Sequence, residues 1–185
     1  FLSPSIDKLN ALLGKWDKEA PVTDTSGKND YGWSLEKHIQ KDVFKEDTSI
    51  HNGSSIGFII EYNDKRVVFL ADAHPIQVTE RLRSLGYSER KPLEAEFLKV
   101  SHHGSKANTN YELLELINTD NYIISSNGDK HELPDKQCLA RIINHNNKAK
   151  IYFNYPEKIP LIFKDEDYDV FPDFQALSTK NGFKI

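Results

Sequence analysis

Two short stretches share one grammar: Arg66-Val67-Val68-Phe69-Leu70-Ala71-Asp72 and Phe97-Leu98-Lys99-Val100-Ser101-His102-His103-Gly104-Ser105-Lys106. Each is a β-rich, mostly apolar run that ends abruptly in polar side chains able to do chemistry. A third stretch, Tyr122-Ile123-Ile124 followed by Ser125-Ser126-Asn127-Gly128-Asp129-Lys130-His131, repeats the pattern. In α/β sheets reactive groups collect just past the carboxyl ends of strands, where loops converge on a rigid scaffold. Four of the seven histidines, His74, His102, His103 and His131, fall in these three loops.

Around these runs, strands and helices alternate, which means an α/β layered domain. Ile56 to Tyr62 and Arg66 to Ala71 read as a hairpin about Asn63-Asp64-Lys65. Val78, Leu82 and Leu85 mark a short amphipathic helix closed by Gly86, and a second helix bearing Leu113, Leu114, Leu116 and Ile117 is expected to be capped by Asn108 or Thr109. Pro134 to Asn144 reads as helix, Ile151 to Tyr155 as strand, Pro160 to Phe163 as an edge strand, and Asp165 to Asp169 as an acidic turn. Before residue 50 the texture differs. Ser3 with Pro4 reads as the start of a helix carrying Ile6, Leu9, Leu12, Leu13 and Trp16. The polar stretch from Lys18 to Asp47 reads as an exposed loop or insertion, with a short helix from Ser34 to Val43. The expected division is 1–50, helix plus polar insertion of the same domain; 51–156, the regular α/β part; and 157–185, an edge strand and tail.

Composition excludes several classes. A length of 185 residues suffices for one domain with a real core. A net charge of −4 with 11% aromatic residues is not the signature of a disordered chain. The longest strictly apolar run, Val67 to Ala71, is far short of the roughly 20 residues a spanning helix needs, so no membrane segment is read. No secretory signal is visible, and a cytoplasmic location is the expectation. The single Cys138 excludes an internal disulfide framework and a cysteine-based metal cluster. The chain opens on Phe1 and has no methionine, so a processed or partial chain is expected.

Singly, each polar cluster has an ordinary explanation. Asp72 suits a helix cap, His74 before Pro75 suits a helix start, and Ser-Asn-Gly is a common turn. His38 and His145, among polar neighbours, read as solvated, and Cys138 as a small core residue. Joint placement at three strand ends favours function, and carboxylate with imidazole suits zinc or manganese.

The segment Asn52-Gly53-Ser54-Ser55-Ile56, the hairpin ending in Asp72, and Leu98 through Lys106 together resemble the C-terminal half of metallo-β-lactamase-fold hydrolases, nearest to the soluble domain of competence DNA-uptake channel proteins and its free-standing relatives. The resemblance covers about residues 50–145, with Phe1 to Pro4 matching the end of an earlier strand. It implies an αββα sandwich holding two divalent metal ions, zinc first and manganese second, that generate a hydroxide for attack on a phosphodiester, ester or amide. Asp72 would be the bridging carboxylate, and His102 the final histidine ligand with His103 as its alternative. His131 would assist the leaving group or contact substrate, and Ser105, Lys106 and Asn127 would orient a phosphate. The sequence departs from the family pattern at three places. Ala71 replaces a usual glycine, Leu133 stands where a second histidine is usual, and no His-x-His-x-Asp-His string occurs. His51 is a weak candidate for an upstream ligand. The expectation is therefore a phosphodiesterase or nuclease-like hydrolase acting on a small phosphoester or nucleic acid, with the remaining ligands supplied by an N-terminal half or a partner chain, and these 185 residues alone inactive. The competing reading is a catalytically incomplete module that binds a protein partner.

Overall fold

The computed structural model describes residues 1–16, 28–129 and 131–179, apart from the Trp16 side chain. Eight strands and eight α-helices alternate through it. The main sheet contains β1 (Phe58–Tyr62), β2 (Lys65–Phe69), β4 (Phe97–Lys99), β6 (Asn121–Ile124), β7 (Lys150–Phe153) and β8 (Gln175–Ser178), in that spatial order. β1 is antiparallel to β2, through a tight turn in which Asn63 and Asp64 both take positive φ, as a primed hairpin turn requires. All remaining neighbours are parallel. A separate two-strand parallel ladder joins β3 (Leu93–Glu94) to β5 (Ile117–Asn118).

Strand alternation sorts the side chains onto two faces. Val68, Leu70, Leu98, Tyr122, Ile124 and Ile151 belong to the main core, with Val78 and Leu82 of α4 (Pro75–Ser84), Leu113 and Leu114 of α5 (Tyr111–Glu115), and Leu139 and Ile142 of α6 (Lys136–His145). At roughly 1.5–3 kcal/mol per fully buried aliphatic side chain, this layer is the main source of cohesion. Val67, Phe97 and Ile123 form a second cluster on the opposite face, packed with Phe69 and Tyr152.

The C-terminal region differs from expectation. Pro160 lies in the first turn of a short helix, α7 (Ile159–Ile162), and not in a strand. Proline lacks a donor for a ladder, but its fixed φ suits a helix start. The acidic turn is a helix, α8 (Asp165–Val170), whose first turn carries Asp165, Glu166 and Asp167 at the positive end of the dipole. The edge strand is β8. At the other end, Ser3 is not a helix cap. Leu2 and Ser3 bond through their N–H groups to the Gly57 carbonyl (2.7 and 3.2 Å), which holds Ser3 extended beside Gly57. The helix α1 (Ile6–Trp16) starts beyond it, with the Ser5 hydroxyl 3.4 Å from the Lys8 N–H. Asn110, not Asn108 or Thr109, caps α5, accepting from the Leu113 N–H at 2.9 Å.

The polar stretch is docked wherever it is described; residues 17–27, with most of the expected loop, lie outside the described residues. Asp30 accepts from the N–H groups of Lys136 (2.6 Å) and Gln137 (3.2 Å), capping α6 from a distance while Asp135, the local cap residue, makes no side-chain cap bond. Asp42 takes a two-pronged bond from the buried Arg141 (2.8 and 2.7 Å), which also donates to the Thr109 carbonyl (2.7 Å). His38 of α2 (Leu35–Gln40) is buried, not solvated, because Gln137 and the Asp30 carbonyl lie 2.8 and 2.9 Å from its ring nitrogens. Lys136 and Asp167 form a fully buried ion pair at 2.6 Å, joining α6 to α8. These anchors carry the chain from Asp30 to Asp47, at the sheet's carboxyl end.

Candidate functional site

Because β2, β4 and β6 are parallel neighbours, the loops after Phe69, Lys99 and Ile124 leave the sheet at one end, and Asp72, His102 and the 125–131 loop converge there. Backbone geometry sharpens the convergence. Ala71, His102 and His103 all have positive φ (48°, 43° and 56°). Such conformations cost about 1–3 kcal/mol each for residues with a side chain and persist only where neighbours over-determine them. Here the His102 N–H donates to the Ala71 carbonyl at 2.7 Å, and the Ser101 hydroxyl lies 3.0 Å from the Ala73 carbonyl. Gly104 follows at φ +86°, where a Cβ would come within 2.6 Å of Pro134.

His102 is held through Nδ1, which lies 2.9 Å from Asn108 Oδ1 and 3.5 Å from Asp47 Oδ2. Asp47 Oδ2 also accepts from the Asn52 amide (2.7 Å) and the Asn108 amide (3.2 Å), and its Oδ1 accepts from the Ser49 N–H (2.8 Å). Burial would raise the Asp47 carboxyl, but bonds from His102, Ser49, Asn52 and Asn108 outweigh it and hold the group well below the usual carboxylate range. For His102 burial works downward, yet bonding to Asp47 and Asn108, with the nearby charge of Asp72, leaves the imidazole above its ordinary value. Lys99 is pushed down by burial against the opposing field of Asp72.

Asp72 does not cap α4; that position is His74. His74 is buried, with Nδ1 3.1 Å from the Lys8 ammonium and Nε2 4.0 Å from Asp47 Oδ2. Its Nε2 has no hydrogen-bond partner. Gly53 makes room for this ring, since a Cβ there would sit 2.9 Å from His74 Cε1.

The remaining sequence candidates divide. His103 is exposed, with Nδ1 2.6 Å from the Ser125 carbonyl, and it lines a cavity of about 280 Å³ with Asn127, His131 and Tyr155. Lys106 faces elsewhere: its ammonium lies 3.2 Å from Asp135 and 3.9 Å from Asp30, and it lines a different cavity with Trp33. Ser105 is buried and accepts from the Ala107 N–H. The structure thus groups Asp72 with His102, and His103 with His131, and sets Lys106 apart. Sequence reading missed Asp47 and Asn108. The available signal for Asp47 was the Asp47-Thr48-Ser49 run before Ile50, a helix-start pattern: Ser49 caps α3 (Ile50–Gly53).

A mixed sheet whose parallel strands β2 and β4 carry acid and imidazole at their adjacent ends defines an α/β protein with its reactive groups at the sheet's carboxyl edge. The family model of the metallo-beta-lactamase superfamily matches residues 10–128, and the chain belongs to that superfamily. No curated protein and no solved structure matches the chain.

The superfamily generally binds divalent metals, and Asp72 and His102 have suitable donor chemistry. Among the described residues, however, no three His, Cys, Asp or Glu side chains are arranged to hold a metal ion. A catalytic zinc takes about three protein ligands, so these residues do not by themselves fit a complete metal centre. Among the described residues no helix is long and apolar enough to cross a membrane.

Proposed function

We propose that this chain carries the Asp72 and His102 side of the active site of a metal-dependent hydrolase that cleaves phosphodiesters, the remaining metal ligands coming from polypeptide outside the described residues. The observation that carries the proposal is the delivery of Asp72 and a strained, acid-anchored His102 to the ends of adjacent parallel strands. Asp72 supplies a fixed negative charge for a cation, and His102 an imidazole nitrogen. The cavity lined by His103 and His131 would receive the substrate, and His131 would move a proton at the leaving group; its presence in that lining supports the role. A net charge of −4 gives no support for strong affinity toward a long polyanion, which favours a small phosphoester or a short single strand.

The test is a substrate panel with the protein joined to the polypeptide that completes its ligand set, in zinc or manganese: bis-p-nitrophenyl phosphate, p-nitrophenyl phosphate, p-nitrophenyl acetate and a chromogenic β-lactam. The diester should be the preferred substrate; preference for the β-lactam or the acetate overturns the phosphodiester assignment. A second reading, a non-catalytic partner-binding module, draws on Leu133 at a position where relatives carry histidine and on the incomplete ligand set. Turnover of none of the four would favour it.

A further inference from the structure

We infer that Asp47 is the positioning residue of the His102 ring, fixing the tautomer with hydrogen on Nδ1 and so leaving Nε2 an open lone pair; this rests on reading His102 as a functional imidazole. Both atoms near His102 Nδ1 are oxygens, Asn108 Oδ1 at 2.9 Å and Asp47 Oδ2 at 3.5 Å. In a neutral imidazole one nitrogen carries the hydrogen and the other the lone pair, so two acceptors at Nδ1 place the lone pair on Nε2. That lone pair is what a metal ion or an acidic proton engages.

An asparagine alone would be a weak anchor, because its amide can turn and present N–H₂ instead. Asp47 joins two backbone carbonyls in preventing the turn. Asn108 Nδ2 lies 3.2 Å from Asp47 Oδ2, 3.2 Å from the Asp72 carbonyl and 3.5 Å from the Ala73 carbonyl. A turned amide would set its oxygen against all three. The carboxylate therefore acts on His102 twice, directly and through the orientation it imposes on Asn108. Its own position is fixed by Ser49 and Asn52, and by its backbone N–H donating to the Ala107 carbonyl at 3.0 Å.

The same oxygen serves a second ring. An ammonium can only donate, so Lys8 at His74 Nδ1 leaves the ring hydrogen on Nε2, the buried, unpartnered atom 4.0 Å from Asp47 Oδ2. Asp47 Oδ2 thus stands 3.5 Å from a ring nitrogen of the loop that carries His102 and 4.0 Å from one of the loop that carries Asp72.

The test uses long-range proton–nitrogen correlation spectra of metal-free protein labelled with ¹⁵N-histidine, with His102 assigned by its disappearance in His102→Gln. With the ring neutral, wild type should show only the Nδ1–H tautomer. Asp47→Ala should give a mixture with Nε2–H. Asp47→Asn, which keeps the volume but must turn an N–H onto one set of donors, should shift the tautomer in the same direction as Asp47→Ala and covers the case in which the alanine variant does not fold. An Nε2–H tautomer in wild type, or a wild-type tautomer in both Asp47 variants, overturns the assignment. The tautomer is read without metal or substrate, so its failure is distinguishable from a lack of phosphodiester turnover.

Discussion

Asp47 Oδ2 lies 3.5 Å from His102 Nδ1, although one residue ends a polar stretch before the first strand and the other follows the third strand of the main sheet. The contact depends on the docking of residues 28–47 across α6, through Asp30 and Asp42. A segment with the composition of a loop therefore reaches an imidazole held on a left-handed backbone, φ +43°.

Ala71 occupies a left-handed conformation, φ +48°, where a Cβ costs about 1–2 kcal/mol. Glycine avoids that cost but gives back part of it as unfolded-chain entropy. Ala71→Gly should raise the unfolding free energy by about 0.5–1 kcal/mol, read from denaturant midpoints with an unchanged slope.

Lys136 and Asp167 are both fully buried, 2.6 Å apart, and Asp167 also accepts from the Leu35 N–H at 2.7 Å. Removing one member leaves a buried charge and an orphaned donor. Asp167→Ala should cost about 3–5 kcal/mol, whereas a double replacement of the pair by apolar residues of similar size should recover most of the loss. Thermal unfolding of the three proteins measures both effects.

Burial pushes the Cys138 thiol up to about 12, well above its ordinary value of 9.0. A group whose folded value is raised contributes stability below its unfolded value, and this is lost as pH rises through the window between the two. From about pH 9 upward, wild type should lose stability more steeply than Cys138→Ala, by up to about 1.4 kcal/mol per pH unit. Urea titrations of both proteins across that range measure the difference. In the native state Cys138 should also resist thiol-specific reagents until the protein unfolds.

Where local pattern and packing agreed, the sequence was a good guide to the fold. The continuous apolar run Val67–Val68–Phe69 placed β2, and the i, i+4 spacing of Val78 and Leu82 placed α4 with its buried face inward. The clustering of Asp72, His102 and the 125–131 loop was also legible, because parallel strands deliver their carboxyl-end loops to one side. Errors arose where a distant partner overrode a local preference. Ser3 looked like a cap but is held by Gly57, and Pro160 to Phe163 looked extended but turns helical. Asn108 looked like a cap and instead bonds His102. Asp47 was invisible for a related reason: nothing within a few residues of it reports that Arg141 and α6 anchor its segment.

The most direct measurement is turnover of bis-p-nitrophenyl phosphate by the protein with its complete ligand set in zinc or manganese, wild type against Asp72→Ala, with circular dichroism showing that both are folded and wild type giving measurable turnover. Loss of a charge that holds the reacting centre is worth several kcal/mol, so the variant should fall by about 10²–10³-fold. Equal rates in the two proteins would contradict the assignment of Asp72 and, with it, the proposed site.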